Sequence, residues 1–343
     1  VADGVRAAWA VPGEPDRCAV VGLDVVERAG EVLVAGRLAG VCATDVEIVR
    51  DGFGWVPPGR DGLVLFHESL GEVLSAPDGS GFAPGDLVAG VVRRPDPEPC
   101  AACAADAWDF CRNGRYRERG IKELDGYGAQ RWSVPPRFAV KLDPALGDAG
   151  VLLEPASVVA KAWAQAELLR SRAFVPARTA LVVGAGPVGL LAALLGVQRG
   201  YDVHVVDRVA EGVKPDLVRA LGATYHRSVP DREVDVAVEC TGVAELAWEC
   251  ARRASVVVLA GISGEHGPAA LDRSVLDAAV LGNRALIGTV NAGPDDYRKA
   301  AAALADADLG WLRGLITRRV PLERFAEAFE KADDDVKVVV DLA

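Results

Sequence analysis

Cys42, in the run Gly40-Val41-Cys42-Ala43-Thr44-Asp45, and the pair His67-Glu68 are the residues of this chain best suited to metal chemistry. One thiolate, one imidazole and one carboxylate, with a fourth position open to water or substrate, make the donor set of a catalytic zinc. Each residue also has a plain alternative, as a buried thiol or a core histidine. On the residues alone the two readings stand level. A second set, Cys100, Cys103 and Cys111, has metal-like spacing, but a structural zinc takes four ligands. Asp96 or Asp106 could complete it, or the thiols could be buried without metal. His204, His226 and His266 read as core, surface and loop residues.

A third constellation is built for an anion. Val182-Val183 runs into Gly184-Ala185-Gly186-Pro187-Val188-Gly189, a strand, a glycine turn and the start of a helix. Gly184 allows the turn, Gly186 lets the backbone approach a diphosphate, and Gly189 lets the helix pack on the strand. The helix N-terminus then offers free N–H groups to the anion. Roughly 20 residues on, the spacing of a ribose-binding acid, a second strand ends in Asp207. That carboxylate accepts from a ribose hydroxyl and repels a 2′-phosphate, which favours NAD; Arg208 offsets the repulsion in part, so NADP is disfavoured rather than excluded.

These residues need a scaffold of two kinds. Up to about residue 150, β-branched runs at 32–35, 63–66, 87–92 and 138–141 alternate with Gly and Pro turns, the pattern of an antiparallel β-rich region. Helical periodicity covers 157–169. Strands at 180–183, 202–206, 234–239, 255–260 and 285–290 then follow, with helices predicted at 187–199 and 215–221. That alternation predicts a doubly wound parallel sheet. The tail reads as a helix over 323–331 and a strand over 336–342.

Composition bounds the partners. A chain of 343 residues exceeds what one core usually supports, so two domains are expected. A net charge of −11 argues against a nucleic-acid backbone as partner. Residues 180–197 carry no charge, but their glycines and proline make them strand, turn and helix rather than a membrane span. The N-terminal segment, broken by charges and prolines, is unlike a signal peptide. Seven cysteines, an odd count without a disulfide framework, point to a reducing compartment, the cytoplasm.

Taken in order, the Cys42 run, His67-Glu68, the three-cysteine lobe, Leu152-Leu153-Glu154-Pro155 and the glycine loop resemble the zinc-dependent medium-chain dehydrogenases over essentially the whole chain. Val92-Arg93-Arg94-Pro95, Glu118-Arg119-Gly120-Ile121-Lys122 and Gly288-Thr289-Val290-Asn291 are most similar to the glucose 1-dehydrogenase branch. The resemblance implies an α/β chain: a β-rich GroES-like catalytic domain over 1–157, completed by 294–343, and a Rossmann dinucleotide-binding domain over 158–293. It implies a catalytic zinc on Cys42 and His67, with Glu68 as ligand or near-ligand and Glu154 contacting metal or sugar. Thr44 would take the hydroxyl proton, and Glu118 and Asn291 would hydrogen-bond the sugar. Gly184, Gly186, Pro187, Val188, Gly189, Asp207, Arg208 and Thr241 would hold the cofactor. The implied reaction is oxidation of a sugar hemiacetal to the lactone; the alternative is a related dehydrogenase of a polyol, cyclitol or amino sugar. A homodimer or homotetramer joined through the nucleotide domains is also implied.

Three departures bear on this. Phe66 replaces the usual Gly before the histidine and is expected to press on the metal site or narrow the pocket. Val92 replaces an Asn of some relatives. Pro97 stands where the first cysteine of a four-cysteine lobe would fall. A zinc-free quinone or enone reductase, and a non-catalytic NAD-binding protein, are rival readings that Cys42, Thr44, His67, Glu68 and Glu154 together oppose.

Overall fold

The structure is a computed structural model and describes residues 4–24, 27–173, 175–262, 273–330, 332 and 334–343; His266 lies outside the described residues. The chain divides into two units, Val1–Glu154 with Asn291–Ala343, and Pro155–Val290.

The first unit is β-rich. Strand Val32–Gly40 lies at the centre of a seven-stranded sheet, between Glu68–Ser75 and the C-terminal strand Lys337–Asp341, both antiparallel to it. Its last residue, Gly40, pairs with Glu68 on one side and with Val339 on the other. Three distant stretches of sequence thus converge just before Cys42. Helix Ala43–Asp51 follows and buries Ile48 and Val49 in the core with Leu63, Leu65 and Phe325. A small sheet of Arg93–Arg94, Arg117–Arg119 and Glu123–Leu124 sets Arg93 opposite Glu118.

The second unit is a six-stranded parallel sheet. Its order is Thr224–His226, Asp202–Val206, Thr179–Val183, Val234–Glu239, Ala254–Leu259, Ala285–Gly288. The order reverses between Thr179–Val183 and Val234–Glu239, the kind of crevice where such sheets bind ligands. Residues 180–197 are a strand and part of helix Pro187–Gln198, and no helix among the described residues is long and apolar enough to cross a membrane.

The elements expected from the periodicity lie within a few residues of their expected bounds in the parallel sheet, and the differences elsewhere have local causes. The helix expected over 157–169 is Leu153–Arg170, because Pro155 sits in its first turn, where its missing N–H costs no hydrogen bond. The expected tail helix is a 3-10 stretch, Leu322–Phe329, kinked at Arg324. Helices Ala43–Asp51, Ala244–Arg253, Arg273–Leu281, Pro294–Ala305 and Leu309–Gly314, and strands Val5–Val11, Glu14–Leu23, Glu68–Ser75 and Arg131–Val134, carry no expectation from the periodicity.

Phe66 corrects its expectation. Its backbone has φ +69°, the left-handed region that suits a glycine. The ring is fully buried and packs in the core, its centroid 6.2 Å from those of Phe325 and Phe329. Left-handed backbone costs a non-glycine residue about 1–2 kcal/mol, whereas deleting a buried Phe ring costs about 3–5 kcal/mol. Packing wins. Phe66→Gly is expected to destabilise the protein by about 2 kcal/mol in denaturant unfolding; a gain in stability would show that strain dominates.

Candidate metal and substrate site

The metal residues assemble at the end of Val32–Gly40. Ligand atoms of Cys42, His67 and Glu68 all lie within 4.8 Å of one another. Cys42 precedes helix Ala43–Asp51, where its N–H donates to Asp45 Oδ2 at 2.8 Å, fixing the sulfur at the start of the first turn. Thr44, one residue into the helix, holds its hydroxyl oxygen 3.9 Å from that sulfur. His67 is 5% and Glu68 1% exposed, so both are almost wholly withdrawn from water.

Burial and facing charges set the electrostatics of the site. Burial pushes the Glu154 carboxyl up to about 7, against the pull of His67. Burial likewise pushes Asp45 up to about 6. Burial disfavours a charged His67, but its hydrogen bond to the Cys42 sulfur and the charges of Asp45, Cys42 and Glu154 outweigh that and hold the imidazole well above its usual range. His67 Nδ1 and Asp45 Oδ1 face each other at 3.9 Å, and neither has a hydrogen-bond partner among the described residues. A carboxylate behind a ring nitrogen is the outer support typical of a metal-binding histidine. Thiol, imidazole and carboxylate, clustered, make a donor set that fits a zinc ion. Glu154 stands outside the three-residue cluster, close enough for its charge to act on His67.

One cation here is the protein's own. Lys337, 1% exposed, pairs with Glu68 through its ammonium and donates to the Val41 carbonyl at 2.9 Å. Gly40 makes room for the pair, since a Cβ there would run into both the Glu68 carboxylate and the Lys337 side chain. No sequence signal marked Lys337. Asp45 is the acceptor that caps the helix start, at the three-residue spacing from Cys42 that such a cap requires.

The expected sugar residues also meet. Glu118 Oε1 accepts from Asn291 Nδ2 at 2.9 Å and from Arg93 Nε at 2.9 Å, all three being nearly buried. Arg93 further donates to the Asp109 carbonyl and lies over the Tyr116 ring, 3.8 Å from its centroid. The arginines of the Val92-Arg93-Arg94-Pro95 run thus act as braces: Arg94 bonds the Val91 carbonyl and the Tyr127 hydroxyl. Val92 is buried and presents an aliphatic side chain.

In the second unit, Gly184 lies in the turn after Thr179–Val183, and Gly186 starts helix Pro187–Gln198 without a side-chain cap, leaving first-turn N–H groups of Val188 and Gly189 for an anion. A side chain at Gly189 would strike the Gly184 carbonyl, so helix and turn pack as the motif requires. Asp207 Oδ2 accepts from Ala185 N at 2.8 Å and Oδ1 from Val209 N at 3.2 Å, which ties the acid to the loop. Lys214 lies 3.8 Å from Asp207 Oδ2. Arg208 adjoins this acid in sequence. Thr241 is held from beneath by Glu239, a buried carboxylate that accepts from Thr241 N at 2.6 Å and from its hydroxyl. Glu239 was missed by the sequence reading; a lone acid at a strand end carries no motif. His204 and His226 pair through Nδ1 and Nε2 at 2.8 Å, and the His226 carbonyl accepts from Asp207 N at 3.1 Å.

Cys100, Cys103 and Cys111 cluster, with their sulfurs within 4.8 Å of one another. Neither acid expected as fourth ligand joins them. Asp96 is taken up by Glu98 N, Asn113 Nδ2 and Arg115, and Asp106 pairs with Arg137. The Arg112 N–H donates to Cys100 Sγ at 3.4 Å, and such donors hold that thiol down to about 6.

Comparison with known proteins agrees with this geometry. Residues 28–144 match the alcohol dehydrogenase GroES-like domain and residues 147–342 the glucose dehydrogenase C-terminus. Glucose 1-dehydrogenase of Thermoproteus tenax is 37% identical, covering 98% of this chain and 99% of the relative. That of Methanocella arvoryzae is 34% identical over the same shares. The solved glucose dehydrogenase of Haloferax mediterranei, in complex with NADP, Zn and gluconolactone, superposes with a TM-score of 0.90 at 29% identity, covering 98% of this chain and 99% of that one. The chain therefore belongs to the zinc-containing medium-chain dehydrogenases, in their glucose dehydrogenase branch.

Proposed function

We propose that the chain oxidises the hemiacetal hydroxyl of an aldose such as glucose to the lactone, with zinc at Cys42, His67 and Glu68 and with NAD preferred as cofactor. The observation that carries this is the Cys42–His67–Glu68 cluster, its histidine and glutamate buried, within a chain of the glucose dehydrogenase branch. Bound there, zinc supplies Lewis acidity toward a hydroxyl and a nicotinamide supplies the hydride acceptor. The chain's residues do the rest. Thr44 offers a hydroxyl beside the Cys42 sulfur that accepts and passes on the substrate proton. Glu118 and Asn291, locked by Arg93, present fixed hydrogen-bonding groups to the sugar, and such preorganisation is worth more than flexible contacts. Glu154, held near 7 by burial, is a further group that exchanges protons in the working range. Reduction of NAD by glucose with gluconolactone as product tests the reading; turnover confined to polyols or amino sugars would replace the substrate and keep the chemistry.

The cofactor preference rests on Asp207. Its carboxylate, anchored on Ala185 N, sits where a 2′-phosphate would meet negative charge. Asp207→Gly combined with Val209→Arg is expected to shift kcat/KM toward NADP by about 10–100-fold, the range of one to two charge-assisted hydrogen bonds gained and one repulsion removed. An unchanged NAD/NADP ratio would discard the role of Asp207. A homodimer through the edge strand Ala285–Gly288 is supported by its exposed Leu286 and by Val280 and Leu281 on the preceding helix. Seven free thiols favour a reducing compartment, the cytoplasm.

A further inference from the structure

Glu118 is held through one oxygen. Among the described residues its carboxylate takes two hydrogen bonds, from Arg93 Nε and Asn291 Nδ2, each at 2.9 Å and both on Oε1. Oε2 is the oxygen left to accept from a hydroxyl. Arg93 therefore helps decide where that oxygen points, and Arg93 has anchors of its own. Its Nη1 donates to the Asp109 carbonyl at 3.0 Å, and its guanidinium carbon lies 3.8 Å from the centroid of the Tyr116 ring. Attraction between a cation and a ring face is strongest where the cation is withdrawn from water, as buried Arg93 is.

The same ring meets a second cation. Lys122 Nζ lies 4.5 Å from the Tyr116 centroid and 5.3 Å from that of Trp55, and it donates to the Gly114 carbonyl at 2.6 Å. Backbone bonds fix the spacing of these groups. Glu118 and Lys122 exchange both of their N–H···O bonds, at 2.8 and 2.9 Å, which closes a turn around Gly120 at φ +70°. Trp55 bonds to Ile121 and Glu123, on either side of Lys122. Trp55, Lys122, Tyr116 and Arg93 thus form a ladder of alternating ring and cation. It starts at half-exposed Trp55 and ends on the buried Glu118 carboxylate.

We propose that Tyr116 is a positioning residue for sugar oxidation: its ring fixes the Arg93 guanidinium on Glu118 Oε1 and so aims Oε2 at one hydroxyl of the substrate. The proposal rests on Glu118 being the sugar-binding carboxylate. Tyr116 needs no contact with the sugar to act. Without the ring Arg93 has freedom to turn, the carboxylate samples more orientations, and a hydroxyl in the right place is favoured less.

The test measures kcat/KM of the full chain, loaded with zinc and NAD, for glucose and for the monodeoxyglucoses that keep the C1 hydroxyl. Glu118→Gln should cost about tenfold or more on glucose, because the amide keeps its oxygen for Arg93 and Asn291 and turns an NH2 to the sugar. One deoxy sugar should escape that loss, which identifies the hydroxyl that Oε2 accepts. Tyr116→Leu is expected to cost about tenfold on glucose, to spare the same deoxy sugar, and to cost less than about twofold once residue 118 is Gln. Tyr116→Phe keeps the ring and should stay within about twofold of the unmodified chain. A full Tyr116→Leu loss in the Glu118→Gln background, or an equal loss on every sugar, would show general damage and overturn the proposal. So would Tyr116→Phe no better than Tyr116→Leu. Should Tyr116→Leu not fold, Lys122→Met carries the same comparison, with a loss of about threefold that vanishes beside Glu118→Gln. Glu118→Gln without effect on any sugar would instead defeat the reading of Glu118 itself, and the proposal with it.

Discussion

Cys42→Ala is expected to lower kcat/KM for sugar oxidation by at least about a thousandfold, because Lewis-acid stabilisation of a developing alkoxide supplies several kcal/mol and each 1.36 kcal/mol is tenfold. His67→Ala should do the same. The glycine loop, Asp207 and Thr241 belong to the other unit, Pro155–Val290, so NAD affinity measured by fluorescence or calorimetry should change little. This separation of turnover from cofactor binding distinguishes a metal role from general damage to the fold. Retained turnover in either variant would remove zinc chemistry from the proposed function and revive the reductase reading.

Lys337→Met carries the second large effect. Glu68 is 1% exposed, and its ammonium partner is Lys337 from the C-terminal strand. Removing one member of a buried pair leaves the other charge uncompensated and costs about 3–5 kcal/mol, several times the net worth of the pair itself. Metal-stripped protein should show this loss as a lower denaturant midpoint for the unit containing Cys42. The double variant Lys337→Met/Glu68→Gln should recover most of it, since no lone charge remains. Failure of the second substitution to restore stability would mean that the lysine acts by packing its aliphatic stem rather than by charge.

What was readable beforehand follows from distance along the chain. Strand, glycine turn, helix and second-strand acid are all contained between Thr179 and Asp207, and local periodicity specifies them. Cys42 with Thr44, and His67 with Glu68, are legible for the same reason. Asp45 could have been found from its spacing to Cys42, because a helix start wants an acceptor there. Phe66 could not be judged, since its backbone conformation and the direction of its ring depend on Phe325 and Phe329. Lys337 lies 296 positions from the carbonyl it bonds, and Asn291 lies 173 from Glu118. Only sheet register and the return of the chain's end to the first unit bring those groups together.

By itself, then, the sequence determined the donor types, the nucleotide loop, the two-part architecture and the branch of dehydrogenases that the chain resembles. The tertiary structure decided which charges neutralise Glu68, which bonds lock Glu118 and Asn291, where the Phe66 ring goes, and that Asp96 and Asp106 stay out of the three-cysteine lobe. The physical reason is that turns and helix starts are governed by neighbouring residues, whereas neutralising a buried charge depends on whichever group the fold carries into the same low-dielectric space.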